Sequence, residues 1–349
     1  MIIGCSGAVL ALLSAFLFGI SPVLIKLTIG EIPPLLMAGL LYFGSGISLF
    51  IFRFLRREQL IQGVKILSLP QKWKLLGSIL SGGILAPIFL VYGIRHTSAF
   101  EVAALLNLET VATTLIAWFF FHEHIGPRVW IGKFFVLTGA FFISYEPQLP
   151  FVFSKPALFI VMACVFWGID NNLTRDIEDL PASVLAGIKG LFAGIFNIGL
   201  AVILGERIRV NPALAEIMGI GALSYGLSLV LFVYALRKIG ASRAGIYFAN
   251  GPFIGMVCAV ILLREHPPAL HWMAGVVMFL GLQILYREHH EHEHTHEVIT
   301  HTHRHIHDEH HQHAHDGSEG PEPHEHLHTH APLTHSHAHF PDIHHRHKH

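Results

Sequence analysis

Between residues 7 and 286 the chain passes through ten apolar stretches in succession, each near the length that a membrane crossing demands. An α-helix needs about 20 mostly apolar residues to span the hydrocarbon core of a bilayer. The expected spans are 7–27, 33–52, 73–94, 99–121, 128–145, 156–173, 183–204, 213–236, 243–263 and 269–286. Pro33-Pro34, Pro70, Gly126-Pro127, Pro147 with Pro150, Pro181, Pro212 and Pro267-Pro268 fall between them, where breakers belong. Backbone groups in lipid find no water, so each crossing must satisfy its own N–H and C=O groups as a helix; the alternation of barrel strands is absent. The expected fold class is an all-α membrane protein with ten transmembrane helices. Composition agrees, with 52% hydrophobic and 13% charged residues, against about a quarter charged in soluble domains.

Several function classes drop out. Cys5, Cys164 and Cys258 stand singly inside apolar stretches, so neither a disulfide framework nor a thiolate zinc site is supported. A net charge of -1 gives no basic footprint for nucleic acid. The first apolar run has no Lys or Arg before it and no A-x-A cleavage pattern, so it is expected to stay as a membrane helix. Basic residues set the orientation. With the N-terminus cytoplasmic, the inside ends collect Arg53, Arg56, Arg57, Lys65, Lys72, Lys74, Arg128, Lys133, Arg175, Arg237, Lys238, Arg243 and Arg287. The outside ends hold only Lys26, Arg95, Lys155, Arg207, Arg209 and Arg264, so both termini are expected inside.

The chain also repeats itself. Slid without gaps, Tyr92, Arg95, Ala99, Ala117, Glu123, His124, Trp130 and Gly139 meet Tyr234, Arg237, Ala241, Ala259, Glu265, His266, Trp272 and Gly281. The same offset sets Gly77 on Gly219 and Leu108 on Asn250, and a slightly different one sets Phe18-Gly19-Ile20 on Trp167-Gly168-Ile169 and Lys26 on Arg175. Five crossings are thus followed by five similar ones. An odd number per repeat turns the second copy upside down, the inverted-repeat plan of many secondary transporters. The expected units are a first five-helix repeat over 1–147, a second over 155–287, and a polar tail over 288–349.

Two copies of an aromatic-Gly pair in the first span, then Tyr-x-x-Arg, a small-residue helix, Glu in a short link, Trp and a Gly-rich closing helix resemble the EamA family of the drug/metabolite transporter superfamily. The resemblance covers residues 7 to 286. Members often carry Glu-Pro midway along the fourth and ninth helices and Gly-Glu at their ends. Here the first copy has Glu109-Thr110, the second Gly251-Pro252, and the later pair reads His122-Glu123 and Arg264-Glu265. The resemblance implies an inner (plasma) membrane exporter of amino acids or other small metabolites, not an enzyme. It also implies a central cavity framed by the first four helices of each half.

Ionisable groups inside spans cost about 2.5–3.5 kcal/mol at a helix centre and mark sites or paired charges. Glu109 sits midway along the fourth span with Asn107 and Glu101 on the same helix. It is a candidate to bind a substrate ammonium group or to exchange a proton, or else it is neutralised by a basic neighbour. Lys189, amid Gly187, Gly190 and Gly194, could receive a substrate carboxylate or pair with Glu109 or Asp170. Asp170, with Asn171 and Asn172, either faces substrate or forms a polar helix end paired with Arg175. Asn250 beside Gly251-Pro252 is a candidate ligand or hinge position, since proline frees a backbone carbonyl. Tyr247 and Trp118 read as packing residues. Gly190-x-x-x-Gly194 and Gly251-x-x-x-Gly255 read as close-approach surfaces. His122-Glu123-His124 lacks the H-E-x-x-H spacing of a zinc hydrolase.

The tail holds 24 of the 29 histidines, many at every second position. His292, His294, His296, His301, His303, His305, His307, His326, His328 and His330 are the candidate metal ligands. In an extended chain residues i and i+2 point the same way, and imidazole suits Zn, Ni, Co and Cu. With few apolar residues the segment is expected to be disordered without metal, and to serve as metal binder, solvated extension or pH-sensitive charge brush. No cofactor is required. The expected partners are the lipid bilayer, a small-molecule substrate and, through the tail, transition-metal ions. The leading reading is an EamA-like exporter working by alternating access. Its rivals are a transition-metal transporter or metal-regulated permease, and a membrane-anchored metal store.

Overall fold

The structure, a computed structural model, describes residues 6–30, 32–57, 67–123, 125–145, 154–175, 177, 180–206, 211–286, 290–296, 299–305, 324–330 and 333–339. It divides into two units, Met1–Arg287 and Glu288–His349. Among the described residues of the first unit the chain forms ten long helical segments: α1 Gly7–Thr28, α2 Pro34–Leu55, α3 Leu69–His96, α4 Ala99–Phe121, α5 Pro127–Ser144, α6 Lys155–Thr174, α7 Ala182–Ile203, α8 Pro212–Gly240, α9 Arg243–Leu263 and α10 Ala269–Tyr286. Eight are long and apolar enough to cross a membrane. The other two, α5 and α10, have 18 residues each, about 27 Å at 1.5 Å per residue.

Local chemistry explains the starts. Ser6, Ser68, Ser98 and Ser154 each turn a hydroxyl back onto an N–H of the first turn, and Gln71 completes a capping box with Ser68. Pro70, Pro127 and Pro212 lie in the first helical turn instead of the links, so α3 begins at Leu69 and not at 73. A proline there loses only an N–H that has no helical partner anyway.

The two halves pack upside down relative to each other. A Cβ on Gly46 would meet Leu191 and Gly190, and one on Gly39 would meet Ile198 and Gly194, so α2 and α7 run antiparallel. In the same way Gly132 abuts Leu285 and Gly281 while Gly139 abuts Met278 and Ala274, making α5 and α10 antiparallel. Equivalent helices of a repeat can meet like this only if the second copy is inverted. Gly190 and Gly194 both face α2 across a backbone-to-backbone contact that no larger residue fits.

Irregularities recur at matching places. Seven-residue and six-residue π-helical stretches, Ile79–Leu85 and Ala222–Leu227, interrupt α3 and α8. Both α4 and α9 break midway, into Ala99–Leu105 and Leu108–Phe121, and before and after Ala249-Asn250. Left-handed residues close both helices, His122 (φ 52) and Arg264 (φ 53). Asn107 and Asn250 each cap the segment after the break. The structural counterpart of Asn250 is therefore Asn107, not Leu108 as the ungapped match has it. The slip arises because Leu108–Phe121 has 14 residues and Gly251–Leu263 has 13.

In the tail unit, strands β1 His290–His296 and β4 Leu333–His339 pair antiparallel, as do β2 Ile299–His305 and β3 His324–His330. This departs from the expectation of a segment without secondary structure. Histidine at every second position, with Thr295, Thr302, Leu327 and Thr329 among the residues between, is a pattern that suits extended chain. His307 lies outside the described residues.

Candidate functional site

A cavity of about 420 Å³ opens between the halves. Its wall comes from Phe18 of α1, Tyr42 of α2, Glu109 of α4, Trp167 and Asp170 of α6, Tyr225 of α8 and Phe248 of α9. The break in α4 places the carboxylate. Around it the backbone tightens, with Asn107 N bonding Ala104 O at 3.2 Å and Glu109 N bonding Leu106 O at 3.1 Å. Leu105 O is released and takes the Cys164 thiol at 3.6 Å instead. Glu109 thus stands in the first turn of the second segment. Its Oε1 accepts from Asn171 Nδ2 at 2.9 Å, and Asn171 also donates to Thr113 Oγ1 at 3.2 Å. Among the described residues Asn171 is its only side-chain hydrogen-bond partner, and no ion pair reaches it.

The π-helical stretch in α3 shapes the opposite wall. Gly82 O accepts from Tyr42 Oη at 2.7 Å and from Trp167 Nε1 at 3.2 Å. Trp167 Nε1 also donates to Tyr42 Oη at 3.1 Å, so the two rings are held by one carbonyl. A Cβ on Gly82 would strike the Asp170 carboxylate, which explains why glycine stands there. Asp170 is buried and ion-paired to Lys189.

The five candidate residues therefore divide. Glu109, Asn107 and Asp170 line the cavity. Lys189 stands behind Asp170 as its counter-ion, and the alternative pairing of Asp170 with Arg175 is not what forms. Arg175 instead pairs with Glu123 and stacks on the Phe121 ring at 4.4 Å. Asn250 turns onto its own helix, donating to Ile246 O at 2.9 Å and Tyr247 O at 3.2 Å, while its neighbours Ala249 and Pro252 line the cavity. Asn107 does likewise with Ala104 O at 2.9 Å.

Sequence reading missed the aromatic wall. Phe18 and Trp167 were visible as the aromatic partners of matched glycines, yet nothing in the spacing of Tyr42, Tyr225 or Phe248 separates them from packing rings. It also took Lys133 for a topology charge. Lys133 is buried, and its Nζ donates to Thr110 O at 2.8 Å, tethering α5 to the turn that carries Glu109.

The two ends of the bundle differ. At the far end, away from the start of α1 and the finish of α10, Lys26 Nζ donates to Ile94 O at 2.7 Å and Thr97 O at 2.8 Å. There Glu265 accepts from Ala99 N at 2.8 Å and Phe100 N at 2.9 Å, capping α4 with a carboxylate from the other half. Glu206 accepts from Leu36 N at 3.0 Å in the same fashion. Ala99–Leu105 of α4 packs on Gly251–Leu263 of α9. At the near end the sequence equivalents of Lys26 and Glu265, Arg175 and Glu123, bind each other instead. Among the described residues Leu108–Phe121 does not pack in the same way on the segment of α9 before its break.

The model of the EamA-like transporter family matches residues 5–145 and again 154–287, once per repeat. The chain is 26% identical over 295 residues to an uncharacterized transporter of Methanothermobacter thermautotrophicus, covering 80% of this chain and 86% of that one. It is 25% identical over 286 residues to the uncharacterized inner membrane transporter YedA of Escherichia coli K12, covering 78% and 88%. It is 27% identical over 263 residues to the uncharacterized transporter YoaV of Bacillus subtilis, covering 71% and 86%. A protein crystal structure superposes with a TM-score of 0.59 at 16% identity, covering 80% of this chain and 96% of that one, which supports the fold. With both halves matched and a multi-span helical bundle in hand, the chain belongs to the EamA-like transporter family and is an integral membrane protein.

Proposed function

We propose that this protein is a secondary transporter that exports a small organic solute from the cytoplasm by alternating access, with Glu109 as its binding or coupling group. The observation that carries the reading is the unequal state of the two ends. The far end is clasped by Lys26, Glu265 and Glu206, while the matching near-end residues Arg175 and Glu123 are engaged with each other. Inverted repeats make the two ends interchangeable in kind. In the opposite state Arg175 would turn to the last carbonyls of α8, Glu123 would cap the start of α9, and Lys26 would meet Glu265. The excess of basic residues at the near end favours placing it, with both termini, in the cytoplasm of an inner (plasma) membrane. The near end, where α4 and the start of α9 do not clasp as they do at the far end, would then lie on the side from which an exporter loads. The test is reconstitution in proteoliposomes with a panel of labelled amino acids and amines. Protein-dependent movement of at least one compound is expected, reduced at least tenfold by Glu109→Gln. Movement of none, or full activity in Glu109→Gln, would contradict the proposal.

A second reading, metal handling by the tail, is favoured by the strand register. His292 stands opposite His337, His294 opposite His335, His301 opposite His328, His303 opposite His326 and His305 opposite His324. The register thus sets histidine against histidine, and imidazole is a ligand type that suits Zn, Ni, Co or Cu. Among the described residues of the helical unit no group of three or more His, Cys, Asp or Glu could hold such an ion, so regulation fits better than passage. Cell content of each metal should then depend on the full-length protein and lose that dependence on truncation after Arg287. Identical content in cells with and without the protein would remove this reading.

A further inference from the structure

We infer that the cavity selects an organic monocation, an amine lacking a carboxylate, over a zwitterionic amino acid. The inference rests on the transport reading for its physiological meaning, but its chemistry is argued from the cavity alone.

The first step is a charge balance. Two carboxylates line the cavity, Glu109 and Asp170. Asp170 is already neutralised by Lys189, whose side chain is only 15% exposed and does not reach the lining. Among the described residues Glu109 has an amide for a side-chain partner and no cation in hydrogen-bond or ion-pair contact. The charge left for a ligand to answer is therefore a single negative one. Among the described residues no basic side chain lines the cavity, so a substrate carboxylate would be buried there without a counter-charge.

The second step is the wall itself. Five helices contribute one ring each, and the rings adjoin. Tyr42 and Tyr225 lie 6.0 Å apart between centroids, Tyr225 and Phe18 6.1 Å, and Phe18 and Phe248 5.4 Å, with Trp167 bonded to Tyr42. Aromatic faces attract an organic cation through their quadrupole and bury its apolar body. A carboxylate facing such a wall is a recognition pattern for an ammonium group carried on an apolar or aromatic frame. The volume, about 420 Å³, accommodates a compound of that size.

A matched series reads this directly. Full-length protein in nanodiscs would be titrated calorimetrically with 2-phenylethylamine, phenylalanine and 3-phenylpropionate, which share a frame and differ in charge. The amine is expected to bind at least tenfold more tightly than either acid. Glu109→Gln should remove at least tenfold of the amine's affinity, and Glu109→Asp should keep the preference for the cation. Phe248→Leu, which leaves the carboxylate in place, should weaken the amine several-fold. Equal or tighter binding of phenylalanine or 3-phenylpropionate would overturn the inference. So would an amine affinity unchanged in Glu109→Gln, or no binding by any of the three. Alternation of the two ends is measured separately by spin-label distances, so a protein that alternates but prefers the zwitterion loses only the substrate class.

Discussion

Glu109 and Asp170 are the same kind of residue at the same cavity with opposite circumstances. Asp170 has an ammonium group against it and a glycine cleared to receive it; among the described residues Glu109 has only the Asn171 amide as a side-chain partner. Sequence polarity and depth singled out both carboxylates and Lys189 but left their pairings open, because pairing is a property of helix rotation and not of position along a span. The ion pair yields a prediction at this scale. Lys189→Met leaves a buried carboxylate uncompensated and should cost about 3–5 kcal/mol, whereas Lys189→Met combined with Asp170→Leu should recover most of it. Thermal melting in detergent checks this; a single variant that melts with the parent protein would show the pair to be dispensable. Lys133 was illegible for a different reason. A basic residue six positions inside α5 looks like any topology charge until α4 is seen beside it.

At the scale of elements, the crossings were legible nearly to their ends because the bilayer imposes one length and one composition on all of them. Of their interruptions only the one in α9 was marked, by Asn250 beside Gly251-Pro252, where the proline lacks an N–H for the preceding turn. The break in α4 has no proline; Asn107 bonds its own backbone there and carries no period that reveals it. The π-helical stretches in α3 and α8 have no sequence mark either, yet they create the site. Gly82 O is presented to Tyr42 and Trp167 by one of them, and Tyr225 is presented to the cavity by the other. Such widened turns concentrate at functional places in helices. The two stretches are not used alike: Gly82 in one makes room for Asp170, and Tyr225 in the other supplies a ring of the wall. The aromatic wall was hidden because its rings come from five separate helices.

For the whole molecule the repeat is both the architecture and the mechanism proposed for it. The ungapped matches Lys26 with Arg175 and Glu123 with Glu265 were visible in the sequence, but their meaning needed the structure. One member of each pair closes the far end, and the other waits at the near end in a different arrangement. Under the proposed alternating access, an inverted bundle with two such sets would have two states of comparable construction, and a solute that fits the cavity would need only to bias them by its differential affinity. The decisive measurement is the pair of distances across the two ends in lipid. Spin labels would be placed at Phe121 of α4 and Arg243 of α9 for the near end, and at Thr97, in the link before α4, and Leu263 of α9 for the far end. Two populations are expected, in which the near distance shortens as the far distance lengthens, with their ratio shifting on addition of a bound amine. Distances that stay fixed, or that widen at both ends together, would contradict alternating access in this protein.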